Sequence, residues 1–183
     1  MSRVCVFLAD GFEEVEGLTV VDLLRRAGEE VMTVSVMGRK EITGSHGITV
    51  LADSLFKEVD YSGVDLVVLP GGMPGTKYLK ESEELTELLT EWNGDKKKLA
   101  AICAAPSVFG ELGFLQGKTA VCYPGFESSL QGAVVGNKCV EVDGHITTSK
   151  GPGTAMEFAL TLIAQLQGVE KAEEIRAGLL YER

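Results

Sequence analysis

Cys103 stands where an apolar run stops: in LAAICAAPSV (99–108) the thiol follows Ile102 and precedes two alanines and a proline. A cysteine leaving a strand ahead of a helix sits on a nucleophile elbow, a turn sharp enough to lift its side chain out of the sheet. The amides and positive dipole end of that helix favour thiolate over thiol, and thiols so placed titrate from about 3.5 to 7.5 instead of about 8.5. The competing reading is a buried structural thiol, one of the commonest fates of free cysteine. ADGFEEVE (9–16) brings Glu13, Glu14 and Glu16 to a helix start. Carboxylates there complement the dipole, or one turns inward and, holding its proton, donates to a thiolate. PGGMPG (70–75) offers Gly71 and Gly72, either turn residues or bare amides that join Ala104 in binding an oxyanion.

What is missing narrows the chemistry. A thiol hydrolase uses a histidine base, and the two histidines do not adjoin Cys103: His46 lies in GSHG, a surface turn, and His145 follows a hairpin turn as a solvated strand residue. GGMPGTK lacks the ending of a phosphate-binding loop, and no G-x-G-x-x-G occurs. Cys5, Cys103, Cys122 and Cys139 have no C-x-x-C spacing, so neither a zinc site nor a thioredoxin motif is expected, and no cofactor or metal is called for. Cys122, next to Tyr123, reads as a buried spectator or as a resolving thiol for an oxidised Cys103. With 17 basic against 27 acidic residues the net charge is −10, which disfavours nucleic acid and anionic membranes. Lys96–Lys98 reads as a helix end or solvated loop. No apolar run approaches a membrane span, and the start is too short and acidic for a signal peptide. The expectation is a cytoplasmic protein with reduced thiols.

The elements that must carry these residues alternate. RVCVFL (3–8), VMTVSV (31–36), VDLVVLP (64–70) and KLAAIC (98–103) read as buried strands, with GITVLAD (47–53) a short edge strand and KTAVCY (118–123) another strand. Helical spacing marks 15–28, with Val20, Val21, Leu24 and Ala27 on one face and Gly28 as its stop; it also marks 76–92 and 106–113. KCVEVDGHITTS (138–149) predicts a hairpin turning at Asp143-Gly144. A last helix starts at Thr154, whose spacing to Glu157 predicts a capping box, with Met156, Ala159, Leu160 and Ile163 as its buried stripe. This rhythm predicts one α/β domain over 1–183, a doubly wound, mostly parallel sheet with helices on both faces. Ligands of such sheets bind at the carboxyl ends of the strands. The exits at 9–16, 70–75 and 103 then share one edge.

LADGFEEVE, VVLPGGMPG, LAAICAAP and TSKGPGTAMEFAL resemble, in order and over nearly the whole chain, the landmarks of the ThiJ/PfpI superfamily. They are nearest its DJ-1-like branch, named for the Parkinsonism-associated deglycase. The resemblance implies a flavodoxin-like sandwich, a homodimer, and an acidified, oxidation-prone Cys103 with Glu16 as its protonated partner and the Gly72 and Ala104 amides as oxyanion pocket. It implies a cysteine-dependent enzyme acting on small α-oxoaldehydes or their early adducts, a glutathione-independent glyoxalase or deglycase, a lyase or a hydrolase. The alternative it carries is a non-catalytic redox sensor of oxidative stress, Cys103 passing to the sulfinic acid. A peptidase or amidase is disfavoured, because that branch places histidine where Ala104 stands. Two positions depart from the pattern: Tyr123 replaces a histidine of the deglycase branch, and Ser149-Lys150 replaces Ser-Arg. His46 falls where the family sends a residue across the dimer interface, toward the partner's Cys103.

Overall fold

Runs such as RVCVFL and LVVL are apolar at every position because the strands they form are covered on both faces. In the computed structural model, which describes residues 1–182, the chain runs β1 (Arg3–Leu8), α1 (Glu14–Arg26), β2 (Glu30–Ser35), β3 (Glu41–Thr43), β4 (Thr49–Leu51), β5 (Ser54–Leu55) and β6 (Leu66–Leu69). Then follow α2 (Gly75–Glu81), α3 (Glu83–Gly94), β7 (Lys98–Ile102), α4 (Pro106–Glu111), β8 (Thr119–Ala120) and β9 (Val134–Val135). The chain ends with β10 (Val140–Asp143), β11 (Ile146–Ser149), α5 (Ala155–Gln167) and α6 (Val169–Gly178).

Seven strands form the main sheet in the order β10-β11-β7-β6-β1-β2-β5, with β10 alone antiparallel. Its parallel centre, β2-β1-β6-β7-β11, has the flavodoxin-like order. Side chains alternate between two cores. Val4, Val6, Leu8, Val68 and Ile102 face α1, α5 and α6, while Cys5, Phe7, Val67, Leu69 and Ala101 face α2, α3 and α4. The chain leaves β1 for β2 on one side and returns to β6 on the other, so the β1/β6 crevice is the switch point. Register aligns the exits: Val6 pairs with Val68, Leu69 with Ala101, and Ile102 with Ser149.

Several local expectations are corrected. The 47–53 segment joins β3, a strand the sequence did not announce, in a separate hairpin, and β5 forms the edge of the main sheet. The 76–92 helix breaks at Ser82, whose side chain caps α3. Of 118–123 just Thr119 and Ala120 pair, with β9, because the Tyr123 amide is taken by the Cys103 carbonyl (2.8 Å). No capping box forms at Thr154: its hydroxyl bonds Gly151 and, at 2.7 Å, Ser149. Met156 is partly buried, and the stripe is completed by Phe158 and Leu162. The final α6 buries two side chains, Ala172 and Ile175, which is too faint a pattern to read from sequence. No helix among the described residues is long and apolar enough to cross a membrane.

Candidate active site

The three strand exits meet. The Glu13 amide donates to the Gly71 carbonyl (2.9 Å), and the Gly71 amide donates to Glu16 Oε2 (2.8 Å). Cys103 follows β7 with φ of 66°, a left-handed conformation uncommon for a side-chain-bearing residue. Its amide is held by the Ser149 carbonyl at 3.0 Å. This is the sharp turn expected of an elbow, fixed from β11. The amides of Gly72 and Ala104 both reach the thiol. Glycine is required at 71 and 72 by close approach: a Cβ at Gly71 would lie 2.6 Å from the Cys103 Cβ, and one at Gly72, where φ is +88°, would lie 2.4 Å from the Glu13 amide nitrogen.

The three glutamates, indistinguishable in sequence, take three positions. Glu13 caps α1 by accepting the Glu16 amide at 2.8 Å. Glu14 anchors the 44–48 loop: it accepts the His46 amide (2.8 Å) and lies 2.9 Å from His46 Nδ1. Burial pushes the Glu14 carboxyl up, but bonds from His46 and from backbone amides outweigh it and hold the group at about 2. The hydrogen bond to Glu14 in turn raises His46. Glu16 points inward and is fully buried. Burial pushes it up to about 7, against the lowering pull of Cys103 and the Gly71 amide. Its Oε1 has no hydrogen-bond partner of good geometry among the described residues, and Cys103 is the polar side chain facing the carboxyl.

The expectation of a thiol acidified by a helix is corrected here. Burial, followed by the charge of Glu16, pushes the Cys103 thiol up to about 12, against the Gly72 and Ala104 amides. Cys103 is 9% exposed, and α4 has six residues with Pro106, which lacks an N–H, at its start. A macrodipole that short is weak, so the local anion stabilisers are two specific amides. Two acids this close titrate as a pair. Glu16 is the first of the two to ionise, near 7, and burial holds the Cys103 proton far into the alkaline range.

The remaining expected residues fall at increasing remove. Tyr123 is 46% exposed, hydrogen-bonded through its amide to Cys103, with its ring against Gly151. Lys150 turns its Nζ to the Asn137 carbonyl (2.8 Å). Within this chain His46 is engaged by Glu14, and His145 sits against Asn93 Oδ1 at 2.8 Å, at the amino ends of the parallel strands and opposite the elbow. Cys122 packs in the core on the α2–α4 side, whereas Cys103 packs on the other, which favours the spectator reading. The sequence reading missed the Glu14–His46 anchor; the signal available was a carboxylate beside an outward-facing helix start.

The DJ-1/PfpI family profile matches residues 2–165. The chain is 42% identical to Protein DJ-1 homolog B of Arabidopsis thaliana over 97% of its length. It spans less than half the length of the plant relatives it matches, 41% and 46%. It is 35% identical to a protein named a deglycase from Pyrococcus abyssi, over 82% of this chain and 91% of that one. Among solved structures, oxidised Toxoplasma gondii DJ-1 superposes with a TM-score of 0.96 at 40% identity, covering 100% of both chains.

Proposed function

The chain belongs to the DJ-1/PfpI family, and from that premise we propose that it is a cysteine-dependent enzyme converting small α-oxoaldehydes, or their early adducts, to 2-hydroxy acids. One observation carries this reading: a buried carboxyl raised to about 7 faces a sulfur that two backbone amides also reach. Charge on the carboxylate would leave it one backbone donor, the Gly71 amide, and the S–H. Charge on sulfur collects the Gly72 and Ala104 amides and a carboxylic O–H, so the state the reaction draws on is thiolate beside neutral acid, reached by moving the thiol proton onto Glu16.

From that state the thiolate adds to the aldehyde carbon. The C–S bond forms as the carbonyl π pair moves to oxygen, where the Gly72 and Ala104 amides receive the charge. Glu16 gives that oxygen its proton. As carboxylate it then removes the hydrogen of the former aldehyde carbon and returns it to the neighbouring carbon, while the hydroxyl proton on the first oxygen passes to the second, leaving a thioester of the 2-hydroxy acid. Water cleaves the thioester: the 2-hydroxy acid leaves as carboxylate, the sulfur as thiolate, and of the two protons released one restores Glu16 and the other goes to solvent. A carboxyl at about 7 is matched to donating and accepting a proton near neutral pH. The test is lactate formed from methylglyoxal by the purified chain with no added thiol, its rate rising with the ionisation near pH 7; absence of lactate ends this reading.

The second reading, oxidation of Cys103 to the sulfinic acid in a redox sensor, is favoured by the same donors, which suit an oxyacid of sulfur as well. The solved relative from Toxoplasma gondii is likewise an oxidised form. Amide hydrolysis has less support, with Ala104 in place of an adjacent histidine.

We also propose a cytoplasmic homodimer. Val15 and Leu18 of α1 and Ile48 and Leu51 of the β3–β4 hairpin are exposed apolar side chains, and Glu14 ties the hairpin loop to α1. A second copy covers this surface, and His46 on the same loop reaches toward the partner's Cys103. Sedimentation should give twice the chain mass at micromolar concentration; a monomer overturns the assembly.

A further inference from the structure

Beside the elbow lies a cleft of about 360 Å³, lined by Met73, Thr76, Lys77, Ser107 and Phe126 among others. Clefts of about 300 Å³ and more hold organic ligands much larger than a three-carbon aldehyde. Two of its walls are hydrogen-bonded to the carbonyls of Gly72 and Ala104, the residues whose amides reach the Cys103 sulfur. The Thr76 amide donates to the Gly72 carbonyl at 2.9 Å. Ser107 donates twice to the Ala104 carbonyl, from its amide at 3.1 Å and its hydroxyl at 2.6 Å. The Phe126 amide donates to the Tyr123 carbonyl, and the Tyr123 amide to that of Cys103. A substrate whose carbonyl oxygen sits on the Gly72 and Ala104 amides therefore has this cleft as its neighbour.

We infer that the cleft is a specificity subsite for the carrier portion of an oxoaldehyde adduct, a short aliphatic stem ending in a carboxylate. This rests on the reading that Cys103 attacks the aldehyde-derived carbon. Three features select that carrier. Met73 is 53% exposed at the lip, an apolar side chain in water that a stem would cover. Phe126 is partly buried and supplies the opposing apolar wall. Of the two lysines, Lys80 is closely paired with Glu111 at 2.9 Å, whereas Lys77 meets Glu81 at 3.8 Å with both side chains more than half exposed. So loose a pair contributes little, and the Lys77 ammonium can turn from Glu81, which with Glu111 also lines the cleft, to a ligand carboxylate. The buried Thr76 hydroxyl, which has no hydrogen-bond partner among the described residues, lies in the same wall.

The test uses a stable mimic, S-(2-oxopropyl)-N-acetylcysteine, which joins an acetonyl head to a carboxylate-bearing stem and cannot revert to free aldehyde. Its binding is measured by calorimetry, so the result is read even if methylglyoxal is not turned over. The expected result is binding to the wild type roughly tenfold tighter than hydroxyacetone, the head alone, with the advantage lost in Lys77→Met and in Phe126→Ala. Lys57→Met, in a different cleft, keeps it. Equal binding of mimic and head to the wild type, or an advantage that survives Lys77→Met, overturns the subsite. Loss in Lys57→Met as well shows general charge attraction and overturns it too. Because Lys77 is a surface residue, its variant stays informative if Phe126→Ala fails to fold.

Discussion

Cys103→Ala abolishes lactate formation from methylglyoxal, lowering turnover at least about a thousandfold. The proposed cycle opens and closes with a C–S bond at this sulfur, the thiol that Glu16 and the Gly72 and Ala104 amides face. Cys5 and Cys122 are buried in the opposite core, and the exposed Cys139 lies just ahead of β10. The substitution should leave the fold intact. Alanine tolerates the positive φ no worse than cysteine, both carrying a Cβ, and the space left by the sulfur lies beside the Gly72 and Ala104 amides, which water can satisfy. Cys103→Ser keeps the volume and the hydrogen bonds but offers a hydroxyl far too weakly acidic to ionise there, so it is equally inactive. The same variants separate the two leading readings. Mild peroxide adds about 32 Da, two oxygen atoms, to the wild type and to neither variant. Lactate formation that persists in Cys103→Ala ends the enzymatic reading, and a wild type that gains the oxygens yet makes no lactate is the redox sensor.

What the sequence disclosed follows a physical line. Strand exits are local features: an apolar run ends, and the next residues are on the page. Once the strands are parallel, the meeting of 9–16, 70–75 and 103 at one edge follows from topology, and Glu13, Gly71 and Cys103 do meet there. Which glutamate turns inward was not local. Glu13, Glu14 and Glu16 differ by their partners, a helix amide, the 44–48 loop and Gly71 respectively, and two of those partners lie about 30 and 55 residues away. The thiol's titration was misjudged for a related reason. The elbow supplies donors that sequence can anticipate, whereas burial and a second acid in the same hollow raise the sulfur, and both are properties of the assembled site. In KTAVCY the β-branched pattern was present, but the neighbour beyond Ala120 was the elbow's carbonyl and not a strand.

Glu16→Gln separates reactivity from catalysis. Glutamine is isosteric: its carbonyl oxygen accepts the Gly71 amide as Oε2 does, and its NH₂ takes the place of Oε1. It therefore still donates toward the sulfur, and it removes the carboxylate whose charge raises the thiol. Iodoacetamide should label Cys103 at neutral pH at least as fast as in the wild type. Turnover nevertheless falls about 10²- to 10⁴-fold, because the amide can neither give the oxyanion a proton nor carry one between carbons. Stability moves the other way. The Glu16 carboxyl rises from 4.5 in the unfolded chain to about 7 in the folded one, so the folded state favours the protonated acid. Its contribution is intact below pH 4.5 and is lost as pH climbs through 7, a loss of up to about 3 kcal/mol. Glutamine does not ionise and escapes that loss. Chemical denaturation should find Glu16→Gln close to the wild type at pH 5 and more stable at pH 8, an inactive protein that is firmer under alkaline conditions. A variant that turns over methylglyoxal within about twofold of the wild type, or unfolds more easily at pH 8, would show that no buried proton is held at residue 16.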